Sequence, residues 1–356
     1  MATTVKYWIV DIFSTTAFKG NPLAVVDDTD GLLSDTQLKL ITRQFNLSET
    51  TFFSKPTRPG ATYRLRSFLP DGKEVFGAGH NILGAWWFLA DSGRLDLGSP
   101  TSVDGATGSE EFTVYQELGT EVLPVKILRT KDAAADGGHR MSVSLRQVSP
   151  GTHAKHPDPA SLAASIGLAP QDVGVAVEAA DGGDHVTLVP QVMSTSTTRH
   201  LLVPLASVDA LNKVVVQKDK LLQQLALVDK SAYGIFLFTP VSPPPPPLSS
   251  STDATPTYRA RFFSPGMSSE DPATGSAAGP FSAYLHNHGA LTSDGDVAAI
   301  EVQQGHRVGR ECVIRVELHV RPGAKGDGEA LDVDIVGGGT LVADGNMTIP
   351  NQFTQF

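Results

Sequence analysis

The sequence predicts a sheet-rich α+β protein made of two similar halves, and three observations carry that prediction. Two stretches lying about half a chain apart share one pattern. Arg64-Leu65-Arg66-Ser67-Phe68-Leu69-Pro70 and Arg259-Ala260-Arg261-Phe262-Phe263-Ser264-Pro265 match at four of seven positions. Gly79 follows Pro70 by nine residues and Gly275 follows Pro265 by ten, and each glycine enters an apolar helix-like segment. Second, short β-like runs dominate the chain, with at least one long helix in each half. Third, 356 residues suffice for two cores of ordinary domain size. An internal repeat of this length implies two like halves facing each other. Two helix N-termini brought to one cleft would then form an anion site.

Taken in order, Tyr7-Trp8-Ile9-Val10 is strand-like, and Ser34 with Gln37 forms a capping box opening a helix to about Phe45. Leu38, Ile41 and Phe45 share one face of that helix, and Asn46 is its stop. The chain turns β-like over Leu47 to Phe53, which puts Glu49 where a helix hands over to a strand. Tyr63 to Phe68 alternates as a strand, Asp71-Gly72 is a turn, and Gly79 leads into a helix from His80 to about Ala90 capped by Gly93. Residues 100–190 are harder to read: short β-like runs at Phe112 to Tyr115, Val122 to Leu128 and Met141 to Leu145, then a helix over Ala160 to Ile166. His200 to Leu205 and Tyr233 to Phe238 read as strands and Asp219 to Val228 as a helix. Pro243 to Pro247 with the serines that follow can enter neither helix nor sheet, so residues 242–256 are expected to be an exposed hairpin insertion. The last third is strand-like, with Gly337-Gly338-Gly339 and Asp344-Gly345 expected as turns. Expected domain limits are 1–135 for the first half, rejoined by 345–356, and 136–344 for the second.

A net charge of −10 argues against nucleic-acid or anionic-membrane binding, both of which need a basic patch. The longest apolar run, Asn81 to Ala90, is too short for a membrane span. No basic or signal-type segment precedes the first strand, so a cytoplasmic location is expected. Cys312 is the only cysteine, which excludes an intramolecular disulfide and any two-thiol chemistry; its strand-like setting suits a buried structural thiol. His153/His156 and His286/His288 have ligand-like spacing but no acidic or cysteine partner at metal spacing, so no metal is expected.

Several segments resemble the phenazine-biosynthesis PhzF-like family. They are Phe18-Lys19-Gly20-Asn21-Pro22-Leu23-Ala24-Val25, Asn46-Leu47-Ser48-Glu49-Thr50, Phe68 through Glu74 to Ala78-Gly79-His80, and Glu270-Asp271-Pro272-Ala273-Thr274-Gly275-Ser276-Ala277. A weaker one is Gln304-Gly305 with Gly309-Arg310. The Glu-Asp-Pro-Ala-Thr-Gly-Ser string and the Gly-His turn are the specific parts. The resemblance implies the diaminopimelate-epimerase fold: two pseudo-symmetric halves, each a barrel-like β-sheet wrapped around a central helix, with the active site in the cleft between them. It implies a cofactor-independent isomerase acting on a small carboxylate-bearing metabolite, and a homodimer. Carried onto this chain, Glu49 is the general acid/base, His80 and Asp271 handle protons and bind substrate, and Gly79, Gly275 and Ser276 contact the substrate.

The residue types suit that chemistry. Shifting a double bond next to an acid needs one proton removed and one delivered, which a carboxylate of raised pKa can do. Taken alone, Glu49 reads first as a solvated residue at a strand start, His80 as a capping or packing residue, and Asp271 as a turn former or helix N-terminal cap. Pro280, four residues after Ser276, means that the second helix begins late, bends, or loses a backbone bond. Two other activities stay open: a non-catalytic binding protein that keeps the fold and docks through the proline segment, and a cyclase or lyase using the same glutamate.

Overall fold

The computed structural model describes residues 3–77, 79–105, 107–133, 135–180, 182–195, 198–241, 255–267, 270–292, 297–322, 329–351 and 353–356. Ala78 and residues 242–254 of the proline-rich segment therefore lie outside the described residues. In chain order the elements begin with β1 (Thr4–Ile12), β2 (Asn21–Asp27), α1 (Asp35–Phe45), β3 (Thr50–Ser54), β4 (Tyr63–Phe68), β5 (Glu74–Val75) and α2 (His80–Asp91). There follow β6 (Ser102–Val103), β7 (Glu110–Leu118), β8 (Glu121–Lys131), β9 (His139–Gln147), β10 (Gly151–Lys155), α3 (Pro159–Ser165), β11 (Val175–Val177) and β12 (Val186–Leu188). Next are β13 (Gln191–Thr195), β14 (Thr198–Pro204), α4 (Val208–Lys213), α5 (Lys218–Val228), β15 (Ala232–Pro240) and β16 (Thr257–Phe263). The chain ends with α6 (Gly275–Asn287), β17 (Val297–Gln304), β18 (Cys312–Pro322), β19 (Glu329–Gly337) and β20 (Gly339–Thr348). Two compact units result: Met1–Leu145 with Gly337–Phe356, and Arg146–Val336.

In the first unit the strands pair in the order β20-β1-β2-β3-β4-β7-β8-β9. β2–β3 and β4–β7 are parallel and the other pairs antiparallel. A parallel pair needs a crossover, and α1 and α2 supply the two. The capping box forms: Gln37 N–H donates to Ser34 Oγ, and Gln37 Oε1 accepts from Ser34 N–H. Asn46 ends α1 in the left-handed region at φ 51°, which asparagine tolerates. α1 lays Leu38 and Ile41 on Val26, Phe52 and Phe68. α2 is different: every residue from His80 to Ala90 is buried, because this apolar helix runs inside the sheet rather than on it.

In the second unit the order is β10-β13-β14-β15-β16-β17-β18-β19, with β14–β15 and β16–β17 parallel and the rest antiparallel. α6 is the buried inner helix, and α3, α4 and α5 cover the outer face through Leu162, Leu211, Leu221 and Leu225. Pro280 sits inside α6, so of the three ways to accommodate it the helix takes a lost backbone bond. The second unit thus repeats the first strand for strand.

Neither glycine-containing stretch expected as a turn in the last third is one. Asp344 and Gly345 lie within β20, opposite Trp8 and Tyr7. Gly337-Gly338-Gly339 joins β19 to β20, which pair with β18 and β1 respectively, so it is not a hairpin turn. Close packing explains the glycines: a Cβ on Gly339 would stand 2.8 Å from the Trp87 ring, and one on Gly345 2.9 Å from Tyr7 Oη. Cys312 is buried at the start of β18, its Sγ 3.2 Å from the Arg310 carbonyl. Among the described residues no helix is long and apolar enough to cross a membrane.

Candidate active site

Both copies of the Arg-x-Arg strand perform the same local task. The second arginine of each clamps the glutamate that follows it and so fixes the segment leading into the inner helix. In the first unit Arg66 donates from Nε and Nη2 to Glu74 at 2.8 and 2.7 Å. In the second, Arg261 donates from Nε and Nη2 to Glu270 at 3.1 and 2.8 Å, and its Nη1 reaches the Leu211 and Val214 carbonyls. The paired clamps were not anticipated, although each string carries the signal of a glutamate eight or nine residues after its second arginine.

Glu49 and His80 come together in the first unit. The stop at Asn46 leaves three residues before β3, and Glu49 is the last of them. The hydroxyl of buried Thr51 shares a hydrogen bond with Ser67 Oγ at 2.8 Å and lies 3.3 Å from the Asn81 carbonyl, tying β3 to the start of α2. His80, the first residue of α2, therefore faces Glu49, with Nε2 3.3 Å from Oε2. The Glu49 side chain keeps a fifth of its surface exposed and His80 about a tenth. Burial pushes the Glu49 carboxyl up to about 7, because little solvent is left to stabilise the charged form. Gly79 is the N-cap of α2 and offers no side chain to the helix, so the first N–H groups have no capping partner of that kind.

Asp271, Gly275 and Ser276 come together in the second unit. Asp271 is buried, bridges to Phe262, and accepts from Thr274 Oγ1 at 2.6 Å. Gln304 pins the same turn: its Nε2 donates to the Asp271 carbonyl at 2.7 Å and to Thr274 Oγ1 at 3.0 Å, and its Oε1 accepts from Thr274 N–H at 3.1 Å. Thr274 is the N-cap of α6, yet its hydroxyl goes to Asp271 and no side chain caps the helix. Ser276 Oγ lies 3.1 Å from the Nε2 of buried His200. His153 meets Ser194 Oγ at 2.8 Å and His286 meets Glu329 at 2.8 Å, so those two histidines serve local polar pairs.

Residues 10–345 match the family model described as phenazine biosynthesis-like protein, PhzC-PhzF. The chain belongs to this family. A protein of Mesorhizobium japonicum named as an uncharacterized isomerase is 29% identical over 348 residues, 97% of this chain and 99% of its own. The trans-2,3-dihydro-3-hydroxyanthranilate isomerase of Pseudomonas aeruginosa is 28% identical over 342 residues, 96% of this chain and 98% of its own. The crystal structure of a Bacillus anthracis phenazine biosynthesis protein of the PhzF family is similar at TM-score 0.72 and 20% identity, covering 97% of this chain and 99% of that one. A hydroxyproline epimerase of Agrobacterium vitis shares the fold at TM-score 0.53 and 13% identity, over 99% of this chain and 95% of its own. The fold is diaminopimelate-epimerase-like and the protein is an isomerase.

Proposed function

We propose that this isomerase moves a proton, and with it a double bond, on a small carboxylate-bearing metabolite by general acid–base catalysis at Glu49, without a cofactor. The observation that carries the proposal is the Glu49–His80 pair: a carboxyl raised to about 7 with an imidazole nitrogen 3.3 Å away. As a carboxylate, Glu49 takes a proton from a substrate C–H, and that bond's electron pair moves into the adjoining carbon–carbon bond. The displaced π electrons take up a proton at the far carbon, delivered by Glu49 directly or through His80. Atoms and electrons balance within the substrate, so no oxidant or reductant is required. A pKa near ambient pH suits both halves of the cycle, and positioned acid–base catalysis is worth about 10²–10⁴-fold. Gly79, Gly275 and Ser276 contact the substrate and Asp271 orients a polar substituent. A two-thiol racemisation is excluded by the single cysteine, Cys312.

The Pseudomonas aeruginosa relative is named for trans-2,3-dihydro-3-hydroxyanthranilate, a ring that carries an amino and a carboxyl group, and that compound is the first substrate to test. In deuterated water the wild type converts it with deuterium entering the product or with internal transfer, read by mass spectrometry. Glu49→Gln loses at least about 10²-fold in kcat while binding changes little. Undiminished turnover by the variant would overturn the mechanism. Conversion only of other carboxylates, still dependent on Glu49, would redirect the substrate and keep the chemistry.

A further inference from the structure

Ser276 is a half-buried residue at the start of α6, and its hydroxyl meets His200 on β14. The imidazole is wholly buried, with Tyr233 and Phe262 edge-to-face against it at 6.1 and 5.3 Å. Its Nε2 is 3.1 Å from Ser276 Oγ, and its Nδ1 has no hydrogen-bond partner. Burial pushes the ring's pKa down to about 3, so it is neutral and carries a single N–H. A proton on Nδ1 would leave a buried donor without an acceptor, and orphaned donors are rarer in folded proteins than orphaned acceptors. The proton therefore belongs on Nε2, where it is donated to Ser276 Oγ. The serine hydrogen must then point away from His200. The first N–H groups of α6 lie beside it without a side-chain cap, since Thr274 gives its hydroxyl to Asp271.

We infer that His200 is a positioning residue that holds the Ser276 hydroxyl as an outward donor, completing with the α6 backbone N–H groups a cradle for a substrate carboxylate. The inference rests on the proposed role of Ser276 in contacting substrate. His200 itself touches no substrate; it decides which way one hydrogen points. Preset donors of this kind spare the site a reorganisation on binding.

Two independent measurements test it. Nitrogen-15 NMR of the ligand-free protein is expected to show His200 as the neutral Nε2–H form throughout pH 5–9; an Nδ1–H form or an imidazolium at pH 7 overturns the inference whatever the enzyme's activity. Calorimetric binding of anthranilate and of anthranilamide is compared in wild type, His200→Phe and His200→Gln. His200→Phe is expected to weaken anthranilate by roughly tenfold while leaving the uncharged amide unchanged. His200→Gln, which keeps a side-chain N–H donor, is expected to restore most of that loss. Thermal unfolding shows whether each variant is folded. Wild-type anthranilate affinity in a folded His200→Phe protein overturns the inference, and a protein that binds neither probe is decided by the NMR result. Neither measurement depends on Glu49, so failure of the proton-transfer proposal and failure of this one are distinguishable.

Discussion

The two units use one scaffold for opposite kinds of site. Aligning the clamped arginines, Arg66 with Arg261, puts Phe52 level with Leu237 and Thr50 with Ile235 through their strand partners. Four positions then diverge. Glu49 in the first unit corresponds to Gly234 in the second, Val75 to Asp271, His80 to Ser276, and Leu23 to His200. The first unit thus places a carboxyl beside an imidazole, and the second places a hydroxyl in front of a buried neutral imidazole. Gly234 shows why the roles cannot simply be exchanged: a Cβ there would stand 2.5 Å from both the Phe262 ring and the Phe263 carbonyl. No side chain fits where the first unit carries Glu49. The scaffold is common to both units, and the divergent positions give one unit a carboxyl beside an imidazole and the other a hydroxyl held by a buried imidazole.

The two clamps differ most in burial. Arg261 and Glu270 are buried, at 10% and 6% side-chain exposure, and Arg261 also serves two carbonyls. Arg261→Met leaves Glu270 as an uncompensated buried charge and is expected to destabilise the protein by about 3–5 kcal/mol in urea unfolding. The equivalent pair is more open, at 20% and 24%, so Arg66→Met is expected to cost about 1 kcal/mol. Equal losses would mean that the clamps are not differently buried in solution.

A smaller effect follows from the sign of the Glu49 shift. The folded state raises this carboxyl from 4.5 to about 7, so it binds the proton more tightly than the unfolded chain does. The stabilising contribution is fully present below pH 4.5 and is lost as the pH rises through 7. Glu49→Gln removes that dependence. The variant and the wild type are expected to differ by similar amounts at low pH only through local packing, and at pH 8 the variant gains up to about 3 kcal/mol relative to that baseline. A pH-independent difference in denaturant midpoint would contradict the burial of Glu49.

Much of this was legible in the sequence where a local rule has a unique outcome. Ser34 and Gln37 can satisfy each other only at a helix start, Asn46 stops that helix by its left-handed backbone, and the all-apolar run after Asn81 has to be enclosed. The repeat was visible because Arg64, Arg66, Phe68 and Pro70 recur as Arg259, Arg261, Phe263 and Pro265, each string followed by a glycine that enters an apolar segment. Residues 100–190 were harder because their strands mix exposed and buried positions: β8 buries only Val125 and Ile127 deeply, which blurs the alternation. Gly339 and Gly345 misled because glycine marks close packing as readily as a turn. His200 carried no signal at all. It sits in an apolar strand, and only the tertiary approach of α6 makes its nitrogen matter.

In the proposed mechanism Glu49 takes and returns a proton near neutral pH. Its most direct test is a carbon-13 NMR titration of the Glu49 carboxyl in the ligand-free protein, assigned by the signal lost in Glu49→Gln. A midpoint near 7 is expected. A midpoint at the ordinary glutamate value of about 4.3 would contradict the account.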